Sequence, residues 1–343
     1  VTATDPAALV EHFDALLFDL DGVVYVGPTA VPHAAESIAA ARSKGVACVY
    51  VTNNASRSPA SVARHLCELG VPATAADVVT SPQAAVTMLA AFVPPGSRVL
   101  VIGGDGIADA LVDRGYLPVA SLEDGPVAVV QGYSPDLTWR DLAEATFAVR
   151  TGLPWIATNP DLTFPTARGV APGNGALVDV VARTVGRRPD ATAGKPEPPL
   201  LREALARVAA LRPLMVGDRL DTDISAGTRV GVPTLLVFTG VTSLVELLGA
   251  IPPERPDYVG YDLRVLLRSY PVVDLVDGVA RCSGATARLA AGHLDLDWPA
   301  GSDPWDAVRA AASLAWRCAD AGTHIDLGQA RDTLSRAVLS SQV

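Results

Sequence analysis

Short, mainly apolar runs alternate along this chain with longer stretches whose apolar residues return every three or four positions. The run ALLFDL at 15–20 is followed by an Ala-rich helical stretch over 34–44, then VACVYVT at 46–52 and a second helical stretch over 59–69. Apolar runs of strand length separated by helix-period segments predict a parallel sheet with crossover helices on both faces. The rhythm resumes with SRVLVIGG from 97, a helix over 106–115, VAVVQG from 127 and a helix over 138–150. Next come PWIATN from 154, a Gly- and Pro-rich loop over 165–175, and helices over 176–185 and 199–211. The strand PLMVGD from 213, a helix near 223–230, TLLVFTG from 234 and a strand around 257–259 complete this part.

From about 269 the pattern changes. The segments 278-GVARCSG, 286-TARLAAG and 292-GHLDLDWP read as a small antiparallel β unit, with the acids of the last on its outer face. Two amphipathic helices follow, near 304–320 and 327–340. The first carries Val308, Ala311, Leu314 and Ala315 on one face, which must pack on the core or on another subunit, so a homodimer is one expectation.

Composition narrows the partners. At 343 residues, 49% apolar and 19% charged, the chain describes a soluble globular protein of two or three domains. A net charge of −10, with no basic tract beyond Arg187–Arg188, argues against a nucleic-acid surface and favours a small molecule. Cys48, Cys67, Cys282 and Cys318 form no metal spacing and read as buried thiols of a reducing compartment. No run approaches the roughly 18 apolar residues of a membrane span, and the N-terminal stretch lacks a signal pattern. The expectation is a cytoplasmic protein with no membrane partner.

Four short stretches stand where parallel strands should end, the edge at which open α/β sheets bind ligands. The first, Asp19-Leu20-Asp21-Gly22, sets two carboxylates one residue apart in an apolar run. Residues two apart on a strand share a face, so the pair is either a solvated strand end or a site expecting a cation. The second, 51-VTNNAS-56, offers Thr52, Asn53 and Asn54 to an oxyanion, or simply makes a turn and cap. In the third, 194-GKPEP-198, Lys195 is one of two lysines among 27 basic residues. That suggests a wanted point charge, although Lys44 has no evident role and a surface linker position serves equally. The fourth, 216-VGDRLDTDISAG-227, crowds Asp218, Asp221 and Asp223 into one loop, suiting a hard cation or, for Asp223 or Thr222, a helix cap.

In this order the four stretches resemble the motif set of the haloacid dehalogenase-like (HAD) phosphatases, over roughly residues 14–268. The DxDG motif matches Asp19 to Gly22, the second motif Thr52-Asn53-Asn54, the third Lys195, and GDxxxTD matches Gly217 to Asp223. The resemblance implies a Rossmann-like parallel-sheet core formed by 1–81 and 189–268. It also implies an inserted α/β C2-type cap at 82–188, leaving 269–343 as an α+β extension of unknown role. The segments 157-ATNPD-161 and 171-APGNGALV-178 look like the cap-to-core segments of the NagD-like and phosphoglycolate-phosphatase-like branch. Pro32-His33 departs from a Pro-Gly common there.

Carried over motif by motif, Asp19 is the expected nucleophile and Asp21 the general acid and base. Mg²⁺ is expected on Asp19, the Asp21 backbone carbonyl and Asp218, with Asp223 behind them orienting a metal water or Lys195. Thr52, Asn53 and Lys195 would bind the phosphoryl group. Asn54 and Arg168 are candidates for the substrate's polar tail, Arg168 being equally suited to the surface; Asp221 has no assigned role. The implied substrate is a small phosphate monoester: glycerol 3-phosphate foremost, with phosphoglycolate, pyridoxal phosphate or a nucleotide as alternatives. Two other classes compete. The stretch 101-VIGGDGIADAL-111 has Gly104 and Gly106 of a dinucleotide fingerprint but Asp109 in place of its third glycine, which weakens an oxidoreductase. A module that keeps the phosphoryl group on Asp19 is disfavoured by Asp21, which supplies the hydrolytic step.

Overall fold

The computed structural model describes residues 7–166 and 168–340. Its central sheet has six parallel strands, in the order Tyr258–Gly260, Thr234–Val237, Pro213–Gly217, Ala15–Phe18, Ala47–Thr52 and Val78–Thr80. Both faces are covered, which is why ALLF is apolar at every position and all four residues are buried. The chain runs outward from Ala15–Phe18 in one direction, then returns to build the other half. That strand is therefore the switch point, and its C-terminal edge opens a crevice.

A second parallel sheet follows the order Ala191–Thr192, Trp155–Ala157, Ala128–Gln131, Arg98–Ile102 and Leu117–Val119. Its edge strand lies just past residue 188, where the insert was expected to end. The expected loop over 165–175 is a correction. Thr163–Thr166 and Gly169–Pro172 pair as an antiparallel hairpin, and the helix begins at once with Asn174–Val185. Prolines disguised it, yet an isolated two-stranded ribbon has free edges where a missing N–H costs little. The pattern also failed to reveal the strand Val78–Thr80, because three residues show no period, and the nine-residue helix Ser81–Leu89 that follows it directly. Cys67 is a further correction: it is exposed, whereas Cys48, Cys282 and Cys318 are buried. Among the described residues no helix is long and apolar enough to cross a membrane.

The C-terminal unit is a four-stranded antiparallel sheet (Val273–Val276, Val279–Cys282, Ala285–Ala290, His293–Asp297) crossed by the helix Pro304–Asp320. Asp295 and Asp297 face outward, as their alternation with Leu294 and Leu296 requires. Val308, Ala311, Leu314 and Ala315 pack within the chain, in one apolar cluster with Leu236, Leu247 and Val259 of the central sheet's flank. The joint also has a polar anchor. The buried Arg309 guanidinium donates to Val259 O at 3.0 and 3.1 Å and to Asp306 Oδ1 at 2.8 Å, under the Tyr270 ring at 4.7 Å.

Breaking this anchor on one side should be worse than replacing it. Arg309→Ala leaves Asp306 buried and unpaired, and is expected to cost about 3–5 kcal/mol in urea unfolding, while Asp306→Leu/Arg309→Met recovers most of that loss. A double variant no more stable than Arg309→Ala would contradict this account.

Candidate active site

The four motif stretches converge at the switch-point edge. Asp19 follows the strand Ala15–Phe18, with its N–H still donating to Val216 O at 2.9 Å. The chain then coils tightly: Leu20 O accepts from the N–H groups of Val24 and Tyr25, and the Gly22 N–H donates to Tyr25 O at 2.8 Å. Gly22 has φ +89°, and a Cβ there would stand 2.5 Å from Asp218 Oδ2. Only glycine satisfies both demands. Asp21 lies at the cleft mouth, one edge open to water. Crowding around its carboxyl, chiefly desolvation, raises its pKa, against a partial pull from Lys195.

Lys195 is 2% exposed, and its Nζ reaches Asp19 Oδ1 at 2.5 Å and Asp223 Oδ1 at 2.7 Å. Burial opposes the ammonium charge, but Asp19 and then Asp223 outweigh it, so the lysine stays protonated with a raised pKa. Asp223 turns its other oxygen to the N–H groups of Asp218 (3.2 Å) and Arg219 (3.1 Å). It thus aligns Lys195 and the loop from the cleft wall. Asp218 Oδ2 accepts from the Val241 N–H at 2.7 Å, while its buried Oδ1 has no hydrogen-bond partner. Oxygens of Asp19, Asp218 and Asp223 lie within 4.8 Å of one another.

Three clustered acids share a single lysine, which pairs with Asp19 and Asp223, so with all three ionised the buried cluster carries an excess of two negative charges. Burial, then repulsion by Asp223, drives Asp218 up to about 7; burial likewise raises Asp19 well above its ordinary value, with Lys195 as the counterweight. An orphaned carboxylate oxygen beside such an excess fits a hard divalent cation with oxygen ligands, and Mg²⁺ typically takes one or two carboxylates and keeps several waters.

Asn53 ties the second motif to the third and to the inserted unit. Its Oδ1 accepts from the Lys195 N–H at 2.8 Å, and its Nδ2 donates to Lys195 O at 2.9 Å and to both Asp161 oxygens at 3.1 Å. Thr52 is buried, and its Oγ1 accepts from the Asn54 N–H, which leaves its own hydrogen for another acceptor. Asn54 turns inward on its own loop, accepting from the N–H and hydroxyl of Ser56. Asp221 is exposed and held by Arg219 through two hydrogen bonds. Arg168 is exposed at the hairpin end and is not among the described residues lining the cleft.

Residue-by-residue reading missed Asp161, Tyr133, Asn174 and Arg219, which line the cleft with the motif residues. Burial raises the Asp161 pKa to about 6, against the Asn53 hydrogen bonds. The same signal that exposed Asp19, an acid just past a strand end, was available at Asp161 after Trp155–Ala157. The apparent dinucleotide glycines have another use. A Cβ on Gly104 would meet Ser56 Cα at 2.9 Å, and one on Gly106 would meet Ala55 O and Arg57 O at 2.8 Å. They let the helix Asp105–Asp113 sit against the second-motif loop.

Comparison with known proteins agrees with this geometry. The pattern of the haloacid dehalogenase-like hydrolases matches residues 16–117, and a second, HAD-hydrolase-like pattern matches 192–266. The chain is 43% identical to the D-glycerol 3-phosphate phosphatase of Mycobacterium tuberculosis, over 92% of this chain and 90% of that protein. It is 36% identical to the acid sugar phosphatase of Staphylococcus saprophyticus, over 76% of this chain and 98% of that one. Among solved structures, glycerol phosphate phosphatase from M. tuberculosis in complex with magnesium superimposes with a TM-score of 0.82 at 42% identity, covering 91% of this chain and 93% of that one. A p-nitrophenyl phosphatase from Archaeoglobus fulgidus gives 0.69 at 29% identity, covering 74% and 98%.

Removing the lysine should expose the charge imbalance. In metal-free buffer, Lys195→Met is expected to lower the unfolding midpoint far more at pH 8 than at pH 5. The folded pKa values of Asp19 and Asp218 are raised, so these two take up protons toward the lower pH and the repulsion they take part in weakens; stability falls as pH rises through about 7, the value for Asp218. Equal losses at both pH values would contradict the arrangement.

Proposed function

We propose that this chain, which belongs to the haloacid dehalogenase-like hydrolase family, is a Mg²⁺-dependent phosphatase that hydrolyses glycerol 3-phosphate through an aspartyl-phosphate. The observation that carries the reading is the buried Asp19–Lys195–Asp223 arrangement beside the orphaned Asp218 oxygen at the switch point. Identity to a glycerol 3-phosphate phosphatase along nearly the whole chain supports it.

Asp19 attacks the phosphorus as the bond to the glycerol oxygen breaks, and Asp21 gives its proton to that oxygen. A raised pKa suits Asp21 to carrying that proton. Asp21, now ionised, takes a proton from a water that attacks the same phosphorus; the bond to Asp19 breaks and inorganic phosphate leaves. Thr52 donates its free hydroxyl hydrogen, Asn53 its backbone N–H and Lys195 its ammonium to the phosphoryl oxygens. Asp19, the Asp21 carbonyl and Asp218 would hold Mg²⁺, which would neutralise charge on the phosphoryl group when bound. Asp223 keeps Lys195 aimed.

The cleft, about 230 Å³, also bears on the leaving alcohol. Its described lining from the inserted unit is Tyr133, Asn159, Asp161, Thr163, Gly173 and Asn174, with no cation; the cations present are Lys195 and Arg219, and Arg219 is engaged by Asp221. Such a wall accepts hydrogen bonds from hydroxyls and repels a carboxylate. That favours glycerol 3-phosphate over phosphoglycolate, and the small volume favours it over a nucleotide.

Phosphate release from glycerol 3-phosphate should require Mg²⁺ and stop with EDTA. Asp19→Asn should lower kcat by more than about 10³-fold with the fold intact, and Asp21→Asn should show no normal burst and breakdown of phosphoenzyme. The kcat/KM for glycerol 3-phosphate should exceed that for phosphoglycolate by about tenfold or more, and the reverse order would overturn the substrate assignment.

A further inference from the structure

We infer that the C-terminal unit takes part in catalysis by positioning: Trp305 braces the segment Phe238–Thr242, which holds both Asp218 and the loop after Asp19. The segment leaves the strand Thr234–Val237 at the site's edge and touches the catalytic groups at nearly every residue. The Thr239 hydroxyl donates to Gly22 O at 2.6 Å, fixing the turn that follows Asp19 and Asp21. Gly240 lies so close to Asp218 that any Cβ would overlap the carboxylate. The Val241 N–H makes the hydrogen bond to Asp218 Oδ2, and the Thr242 N–H donates to Asp218 O at 3.2 Å.

The segment has little cover of its own. Thr239 is only half-buried, and Gly240 and Val241 are exposed, Val241 to 55%. What grips it are its ends, and the C-terminal unit takes hold of both. At the first, the Trp305 ring lies 4.9 Å from Phe238 and 6.0 Å from Tyr261, whose carbonyl accepts the Phe238 N–H at 2.8 Å. Trp305 is itself fixed at its helix start, where its N–H donates to the Asp303 cap at 3.0 Å. Beyond the second end, the Trp316 Nε1–H donates to Leu247 O at 2.8 Å in the helix Leu244–Leu248. A ring buried against Phe238 restricts the strand exit, and with it the two donors that orient Asp218.

The direction and size of the effect follow from this geometry. Loosening the segment misorients Asp218 and the Gly22 turn without removing any reacting group, so the loss is partial. Two phosphatases of the family are covered over 98% of their length by about three quarters of this chain. In this chain Trp305 has become the cover of Phe238, so losing it leaves that ring exposed.

The inference rests on the Mg²⁺ phosphatase reading, and the test separates the two. Mg²⁺ binding to the full chain is measured by calorimetry, alongside hydrogen exchange at the Val241 and Thr242 amides and steady-state kinetics. Trp305→Ala should weaken Mg²⁺ binding and lower kcat by roughly 10-fold each, with KM little changed and faster exchange at both amides. Trp305→Phe should restore most of this, and Phe238→Leu, which keeps the core side apolar, should reproduce the loss even if Trp305→Ala folds poorly. Leu294→Ala, which loosens the unit's own sheet away from the segment, should lower the melting temperature while leaving Mg²⁺ affinity and amide exchange unchanged. Wild-type affinity in both Trp305→Ala and Phe238→Leu, or an equal loss in Leu294→Ala, would overturn the inference. A wild-type chain that binds no Mg²⁺ would instead overturn the phosphatase reading.

Discussion

Burying the Lys195 ammonium is tolerable only because Asp19 and Asp223 lie 2.5 and 2.7 Å away, and those carboxylates are tolerable only because of the lysine. The three residues come from three widely separated parts of the chain. They meet because the strands Ala15–Phe18 and Pro213–Gly217 are neighbours in the sheet, and because Asn53 clasps the backbone of Lys195 on both sides. The arrangement leaves negative charge in excess. That imbalance is a cost in stability, and it is the kind of site that favours a divalent cation with oxygen ligands.

Around this centre the fold spends its backbone groups on orientation. Asp223 is held by the N–H groups of Asp218 and Arg219, and Asp218 by that of Val241. Glycines at 22 and 240 let two chain segments press against the Asp218 carboxylate. Charged groups fixed this way need no rearrangement when charge develops on a reacting phosphoryl group, which is where preorganised electrostatics is most effective. The inserted unit reaches the same centre through Asp161 and Asn159, both hydrogen-bonded to Asn53. The C-terminal unit reaches it through Phe238.

His33 shows how a departure from the family's pattern is accommodated. It stands where a Pro-Gly is common and adopts φ +63°, the left-handed region that glycine enters freely. His33 leads directly into the helix Ala34–Ser43, and it is not among the described residues lining the cleft.

The chain's linear order was enough to read the α/β rhythm and to single out the acids and the lysine that converge at one cleft. Apolar runs announce buried parallel strands whatever packs on them, and an acid pair at the end of such a run marks either a solvated edge or a site for a cation. The hairpin at 163–172 and the strand Val78–Thr80 stayed hidden because prolines and shortness erase the periodicity that marks a strand. Asp161, Arg219 and Trp305 were legible only as an acid, a base and an apolar residue. Their roles depend on distances between segments up to some hundreds of residues apart, and those distances come from sheet order and from the docking of the C-terminal helix. Local preference determined which residues could do chemistry here; only tertiary packing decided which of them face one cleft, because burial and separation, not sequence spacing, set the strength of every charge interaction in it.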